Sequence, residues 1–238
     1  MNTSKNSYTI VYASIVVIVV AFLLAFVSKV LEPQSQANER IDKKKQILSA
    51  LNIRNLNNSE VEAKYASVIV NDEIVNAKGS VVKSGAGKDH DGFTLSFKEI
   101  TPDNLPVYIC RTGAGDDGVK YVFPLIGKGL WGSIWGYIAL NKDLKTVYGT
   151  YFSHESETAG LGARIKEEPF QQEFVGKKVY KDGSNQINLS VVKNGTVHDS
   201  EVEVDGITGA TLTSNGVNDM IHQCLTNYCA FLGIKGGK

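Results

Sequence analysis

Cysteine is scarce in this 238-residue sequence: there are three, Cys110, Cys224 and Cys229. A sparse, odd set in a chain of this length excludes a disulfide framework. Cys224 and Cys229 stand five positions apart, on different faces of a helix, and all three read as core residues. An excess of one charge is also missing. The 25 Lys and Arg residues balance 25 Asp and Glu residues, and the pI is near 6.9, which removes the basic stripe that nucleic-acid binding requires. Metal-ligand spacing is lacking too: His90, His154, His198 and His222 include no pair spaced as in H-E-x-x-H, so no metal site is expected. There is no internal repeat and no low-complexity tract. What remains, 42 % hydrophobic and 21 % charged, is the composition of a folded protein with one sizeable core or two small ones, not of a disordered chain.

The mean hydropathy of −0.11 averages two unlike regions. Asn6 to Ser28 carries no charged residue, and Ile10 to Val27 reads IVYASIVVIVVAFLLAFV, apolar apart from Tyr12 and Ser14. At about 1.5 Å per residue this run spans a hydrocarbon core of about 30 Å. It is longer than the roughly 7–15 apolar residues of a cleaved signal peptide, and the SKVLEPQ that follows offers no small-x-small cleavage site. No helical phase shows a polar face, which argues against a buried core helix. The expectation is a short tail over residues 1–9 and a retained transmembrane helix over 10–31. Lys5 precedes this run, whereas Lys29, Arg40 and Lys43 to Lys45 follow it; the positive-inside rule then places the C-terminal part in the cytoplasm.

Residues 32–58 place Ile41, Lys44 or Lys45, Leu48 and Leu51 on one helical stripe with a charged remainder, the pattern of a juxtamembrane helix or stalk. From 59 to 238 the pattern turns to short β-branched and aromatic runs between Gly, Asn and Asp turns: SVIV, KGSVV, FTLSF, PVYIC, KYVFPL, WGYIAL, TVYGTYF and INLSVV. The final stretch predicts a helix with Val217, Ile221, Cys224, Leu225, Tyr228 and Leu232 on one stripe. Ser214 or Asn215 is the expected N-cap, and Gly233 lies past its end. The fold class expected is α+β, a mainly antiparallel β domain closed by a C-terminal helix behind one membrane helix.

Three segments combine small, polar and aromatic residues in ways that bear on chemistry. Gly127-Lys128-Gly129-Leu130-Trp131-Gly132 satisfies G-x-G-x-x-G, but that dinucleotide fingerprint needs a helix opening after it. SIWGYIAL follows instead, so the reading is a tight loop that presents Trp131 for packing or for stacking on a planar ligand. His154-Glu155-Ser156-Glu157-Thr158-Ala159-Gly160-Leu161-Gly162 joins titratable residues to a Gly-x-Gly turn. It reads either as a turn after the TVYGTYF strand or as a polar edge for a ligand. Asp205-Gly206-Ile207-Thr208-Gly209-Ala210-Thr211-Leu212-Thr213-Ser214 sits between a strand and the terminal helix. Unpaired N–H groups and the positive helix dipole there favour a phosphate, while the plain alternative is a Ser/Thr capping loop.

The last segment resembles the flavinylation motif Asp-x-x-(Ser/Thr)-Gly-Ala-Thr, which carries FMN as a phosphoester on its final threonine. H-x-x-E-T-x-G-L-G and G-x-G-L-W-G are similar to two further patterns of the same covalent-FMN domain family. The three occur in order behind one N-terminal anchor, and the resemblance covers essentially the whole chain. It is to the C subunit of the sodium-translocating NADH:quinone reductase of bacterial inner membranes. The related G subunit of the Rnf ion-translocating complex fits less well, because GKGLWGSIWGYI is similar to the pattern of the C subunit and the chain is long for the G subunit. An anchored flavin-binding regulatory module is the alternative from another functional class.

The resemblance implies covalent FMN on Thr211. Asp205, Thr208 and Gly209 would belong to the sequence read by a separate flavin transferase that moves FMN from FAD, and they and Ala210 would count among the cofactor-binding residues. His154, Glu157, Thr158, Leu161, Gly162 and Trp131 would line the flavin. It implies an electron relay without independent turnover or catalytic residues, in a six-membered complex alongside the A, B, D, E and F subunits. That complex oxidises NADH, reduces ubiquinone and moves Na+ from cytoplasm to periplasm. It also implies a single pass through the inner membrane with a periplasmic C-terminal domain, against the charge bias. Two departures are mild: Thr208 stands where serine is more usual and keeps the hydroxyl, and Ala159 replaces a loop proline without removing a donor.

Overall fold

The computed structural model describes residues 6–84 and 91–234; Lys5 and His90 lie outside the described residues. One helix, α1 (Asn6–Ala50), carries the apolar run and continues through Pro33. Its most apolar 18-residue window has a mean hydropathy of 3.1 and no buried residue. That is long and apolar enough to cross a bilayer, and the exposed side chains are the ones a lipid environment would cover. The expected anchor and the expected stalk therefore share one helix. The chain divides into two compact units, Met1–Lys43 and Lys44–Lys238.

The second unit opens on the last turns of α1, where Lys44, Ile47, Leu48 and Ala50 are buried, as is Leu51 just beyond the helix. A lysine can occupy this stripe because its Nζ meets Glu62 Oε2 at 2.6 Å and lies 5.1 and 5.5 Å from the ring centres of Tyr65 and Phe93. The aliphatic stem is buried while the charge is matched by a carboxylate and two π faces. Helix α2 (Asn58–Val68) follows, opened by an Asn57/Glu60 capping box.

Six antiparallel strands then form one sheet in the order β2-β1-β3-β4-β5-β6. They are β1 (Ile69–Val75), β2 (Val81–Ser84), β3 (Leu105–Arg111), β4 (Val119–Lys128), β5 (Ser133–Asn141) and β6 (Val147–His154). Between β2 and β3 the FTLSF run does not form the expected strand. It becomes a short helix α3 (Asp91–Thr94) and a 3₁₀ turn over Phe97–Glu99. The Phe93 N–H donates to Asp72 Oδ2 at 2.8 Å, and Ser96 donates to Glu99 through both N–H and Oγ. Those side-chain acceptors take the donors that a strand would need for its ladder. After β6 come a 3₁₀ turn over Gly162–Lys166, helix α4 (Glu168–Gln172), and a small parallel pair of β7 (Ser190–Val192) and β8 (Glu203–Asp205). The chain then enters α5 (Thr211–Asn227).

Helix α5 closes the core. Val217, Met220, Ile221 and Leu225 are buried with Leu105, Phe123, Leu125 and Ile138 of the sheet. Just beyond the helix, Tyr228 packs edge-on against Phe123 at 4.9 Å between ring centres, and its hydroxyl donates to the Pro106 carbonyl at 2.9 Å. The segment ends at Gly233, φ +76°, with Ile234 N–H bonded to Cys229 C=O and Gly233 N–H to Ala230 C=O, a Schellman closure. The expected helix start needs correction. Thr211 is the first helical residue and Ala210 the N-cap, while Ser214 lies inside the first turn. The Ser214 hydroxyl accepts the buried N–H of Ile207 at 2.9 Å, so it holds the preceding turn onto the helix.

Candidate functional site

The site is built at the start of α5. Residues Ile207 to Ala210 form a turn closed by Ala210 N–H to Ile207 C=O at 3.0 Å, with Gly209 at φ +79°. A side chain strongly disfavours that conformation, which explains the glycine. The turn delivers Thr211 as an exposed hydroxyl on the first helical residue. The first bond of the helix is Ser214 N–H to Ala210 C=O at 2.9 Å. The N–H groups of Thr211, Leu212 and Thr213 precede it, so they and the helix dipole face the position where an anion on Thr211 would sit.

The other two segments reach the same place through one carboxylate. G-K-G-L-W-G is the tip of the β4–β5 hairpin, with Lys128 paired to Ser133 and Gly129 N–H bonded to Gly132 C=O at 2.8 Å. A hairpin tip with no helix after it excludes the dinucleotide reading. The loop after β6 carries Glu157, whose side chain is buried. Glu157 Oε1 accepts the Trp131 N–H at 2.8 Å, and Oε2 accepts the Thr213 hydroxyl at 2.6 Å. A Cβ on Gly129 would collide with Oε1, and one on Gly162 would collide with Oε2 and with Thr213 Oγ1. Two glycines therefore make room for the carboxylate that ties the three segments together. The Glu157 N–H in turn donates to His154 Nδ1 at 3.2 Å, which leaves the imidazole proton on Nε2. Burial, followed by the charge of Lys166, pushes the His154 pKa down, partly offset by Glu157.

Around these groups lies a half-open cleft of about 240 Å³. Leu130 comes from the hairpin tip; Glu157, Thr158, Leu161 and Gly162 come from the loop; Gly209 through Thr213 come from the turn and helix start. Leu130, Leu161 and Leu212 are 46, 43 and 60 % exposed, an apolar rim beside a polar floor. The cleft is below the roughly 300–1,000 Å³ of sites that engulf a ligand. It suits a planar apolar ring resting on the rim with a phosphate at the helix start, and so the residues present fit a phosphate-linked flavin. Among the described residues no group of three or more His, Cys, Asp or Glu side chains is disposed to hold a metal.

Of the residues singled out from the sequence, Glu157, Thr158, Leu161, Gly162, Gly209, Ala210 and Thr211 meet at this cleft. Four do not line it. Trp131 is 66 % exposed and contributes only its backbone N–H; His154 braces the loop; Thr208 is exposed in the turn. Asp205 closes the β7–β8 connection by accepting the Gly195 N–H at 2.7 Å. Leu130, Leu212 and Thr213 line the cleft without having been expected there, although each adjoins a motif residue in sequence.

Residues 129–226, from the hairpin tip to the end of α5, match the FMN-binding domain family. The chain is similar to the C subunit of the Na(+)-translocating NADH-quinone reductase of Haemophilus ducreyi, with 30 % identity over 232 residues covering 92 % of this chain and 89 % of the relative. It is similar to the crystal structure of the Na(+)-translocating NADH-quinone reductase C subunit from Parabacteroides distasonis, with a TM-score of 0.77 and 38 % identity, covering 87 % of this chain and 98 % of that one. The crystal structure of NqrC from Shewanella oneidensis shares the fold at a TM-score of 0.67 and 23 % identity, covering 83 % of this chain and 97 % of that one.

Proposed function

Because this chain belongs to the family of the Na(+)-translocating NADH-quinone reductase C subunit, we propose that it carries FMN as a phosphoester on Thr211 and relays electrons within a membrane complex. That complex oxidises NADH, reduces ubiquinone and transports Na+. The observation that carries the proposal is the convergence of three separate segments on one cleft, with the exposed Thr211 hydroxyl on the first residue of a 17-residue helix. Attachment needs a hydroxyl reachable by a second enzyme. The Thr211 oxygen bonds to the FMN phosphorus of FAD, the P–O bond to AMP breaks, and the hydroxyl proton leaves with the AMP or to water. The phosphodiester that remains bears one negative charge, stabilised at the N-terminus of α5 by about 0.3–1 kcal/mol.

When bound, FMN supplies reversible electron transfer, while the protein supplies position and electrostatics. Leu130, Leu161 and Leu212 offer the flavin an apolar rim, and the first-turn N–H groups of α5 take the phosphate. Thr208, Gly209 and Ala210 form the turn that presents Thr211 to a flavin transferase. We assign residues 10–31 to the membrane span and 59–238 to the flavin domain, with Lys44 to Asn58 packed onto that domain. The domain faces the periplasm, and the A, B, D, E and F subunits are the partners. Covalent attachment keeps the cofactor from diffusing away on that side of the membrane.

Denaturing gel electrophoresis of the protein made with its transferase tests the attachment. Wild type shows in-gel flavin fluorescence and Thr211→Ala shows none; fluorescence that persists in Thr211→Ala refutes the assignment. Protease accessibility on intact spheroplasts tests the orientation, and a protected C-terminal domain refutes it.

A further inference from the structure

We infer that Glu157 sets the electron affinity of the flavin site by holding a fixed negative charge against the start of α5. This inference rests on the flavin reading of the same cleft. Both carboxyl oxygens are hydrogen-bonded, one to a backbone N–H and one to a hydroxyl, and an ionised carboxylate accepts both. The charge is buried and lines the cleft. It cannot swing away, because the Gly129 and Gly162 backbones pack against its two oxygens. Neither donor is one of the first-turn N–H groups of α5, so those remain for the phosphate, and the carboxylate is a second, separate anion in the site.

A general-base role for Glu157 in attachment fits less well, since its hydrogen bonds go to Thr213 and Trp131 and not to Thr211. A fixed anion disfavours the arrival of an electron on a nearby group, and the effect is large where water is excluded. Glu157 therefore lowers the reduction potential of whatever ring rests on the Leu130, Leu161 and Leu212 rim.

The experiment is a spectroelectrochemical titration of the full chain, matured with its transferase, as wild type, Glu157→Gln and Thr213→Val. The amide of Glu157→Gln keeps the size, keeps an acceptor for the Trp131 N–H and removes the charge. The expected result is full flavin attachment with a midpoint potential raised by about 59 mV, a tenfold shift toward the reduced form for one electron. Thr213→Val removes the hydrogen bond and not the charge, and the fraction that carries flavin stays at or below the wild-type potential. Attached flavin with an unchanged or lowered potential in Glu157→Gln overturns the inference. So does an equal rise in both variants, which would report lost packing instead of lost charge. A Glu157→Gln protein without flavin beside a loaded wild type overturns it as well, because Glu157 would then act in attachment. A wild type without flavin refutes the parent reading instead. In protein made without the transferase, hydrogen exchange at the Trp131 amide provides a readout that needs no flavin. Protection is retained in Glu157→Gln and lost in Glu157→Ala.

Discussion

Gly162→Ala probes the shared carboxylate with the smallest available perturbation. Gly162 is buried and opens the 3₁₀ turn over Gly162–Lys166. It is not among the residues with positive φ, so alanine meets no backbone penalty there and the whole effect comes from one methyl group. That methyl would fall between Glu157 Oε2 and Thr213 Oγ1, the two atoms joined by the 2.6 Å hydrogen bond. Either the bond opens or the loop shifts. Overpacking a filled site costs about 1–3 kcal/mol, and a hydrogen bond to a charged acceptor contributes about 1.5–3 kcal/mol. Because relief of one strains the other, the two do not add in full, and a net loss of about 2–4 kcal/mol is expected. For a domain of this size that lowers Tm by roughly 5–15 °C. The assay is thermal unfolding of the detergent-solubilised chain together with in-gel flavin fluorescence. Gly162→Ala is expected to lower both, since the displaced carboxylate no longer holds the hairpin tip against the helix start. Gly160→Ala is the control: its Cβ would meet nothing within 4 Å, and only its φ of +75° is strained. It therefore loses about 1–2 kcal/mol and keeps its flavin. A Gly162→Ala protein with wild-type Tm and full flavin attachment would mean that the Glu157–Thr213 bond does not hold the cleft together.

Three further outcomes follow from the same geometry. Gln171→Leu removes a fully buried amide that donates to the carbonyls of Phe152 and Ile165, on either side of the Glu157 loop, and accepts from Arg54. With several buried polar groups left unpaired, chemical denaturation is expected to show a loss of about 2–5 kcal/mol, and a loss under about 1 kcal/mol would contradict this bracing role. His154 is held neutral, with a folded pKa pushed below 6.5 by burial and by Lys166. Its contribution to stability is therefore complete above about pH 6.5 and declines as the pH falls from there toward the lowered folded value. Denaturation midpoints from about pH 8 to 5 should fall less in His154→Asn, whose side-chain oxygen can still accept the Glu157 N–H; parallel profiles would remove His154 from the acid response. Gly209→Ala forces a methyl onto a residue at φ +79° and against Leu161 Cδ2 at 3.1 Å. A loss of about 1–2 kcal/mol is expected by the same denaturation assay, with reduced flavin attachment on gels.

The long apolar N-terminal helix, the antiparallel strands and the closing helix are legible because each is written in local periodicity: an uninterrupted apolar run, β-branched and aromatic alternation, and a helical stripe ending near glycine. FTLSF alternates as well as any true strand here, yet its outcome is decided by Asp72, 21 residues away, a partner that periodicity cannot reveal. Lys44 is legible as a stripe position but not as a buried residue, because Glu62, Tyr65 and Phe93 reach it only after folding. The helix start departs from expectation for a related reason. Thr208, Thr211, Thr213 and Ser214 all carry hydroxyls, and propensity ranks them without knowing that the left-handed Gly209 turn hands the Ile207 N–H to Ser214.

The site divides along the same line. Residues whose chemistry resides in their side chains, Thr211 and Glu157, stand out in the sequence. Trp131 also stands out for its side chain, yet its bond to the site is made by a backbone N–H that every residue except proline possesses. The convergence itself is invisible there, since Glu157 lies 26 residues from Trp131 and 56 from Thr213. A chain that commits one buried carboxylate to partners this distant couples its hairpin, loop and helix start into a single element. Substitution at any one of the three should therefore act on the same cleft, and double-mutant cycles among Gly129, Gly162 and Thr213 should be strongly non-additive.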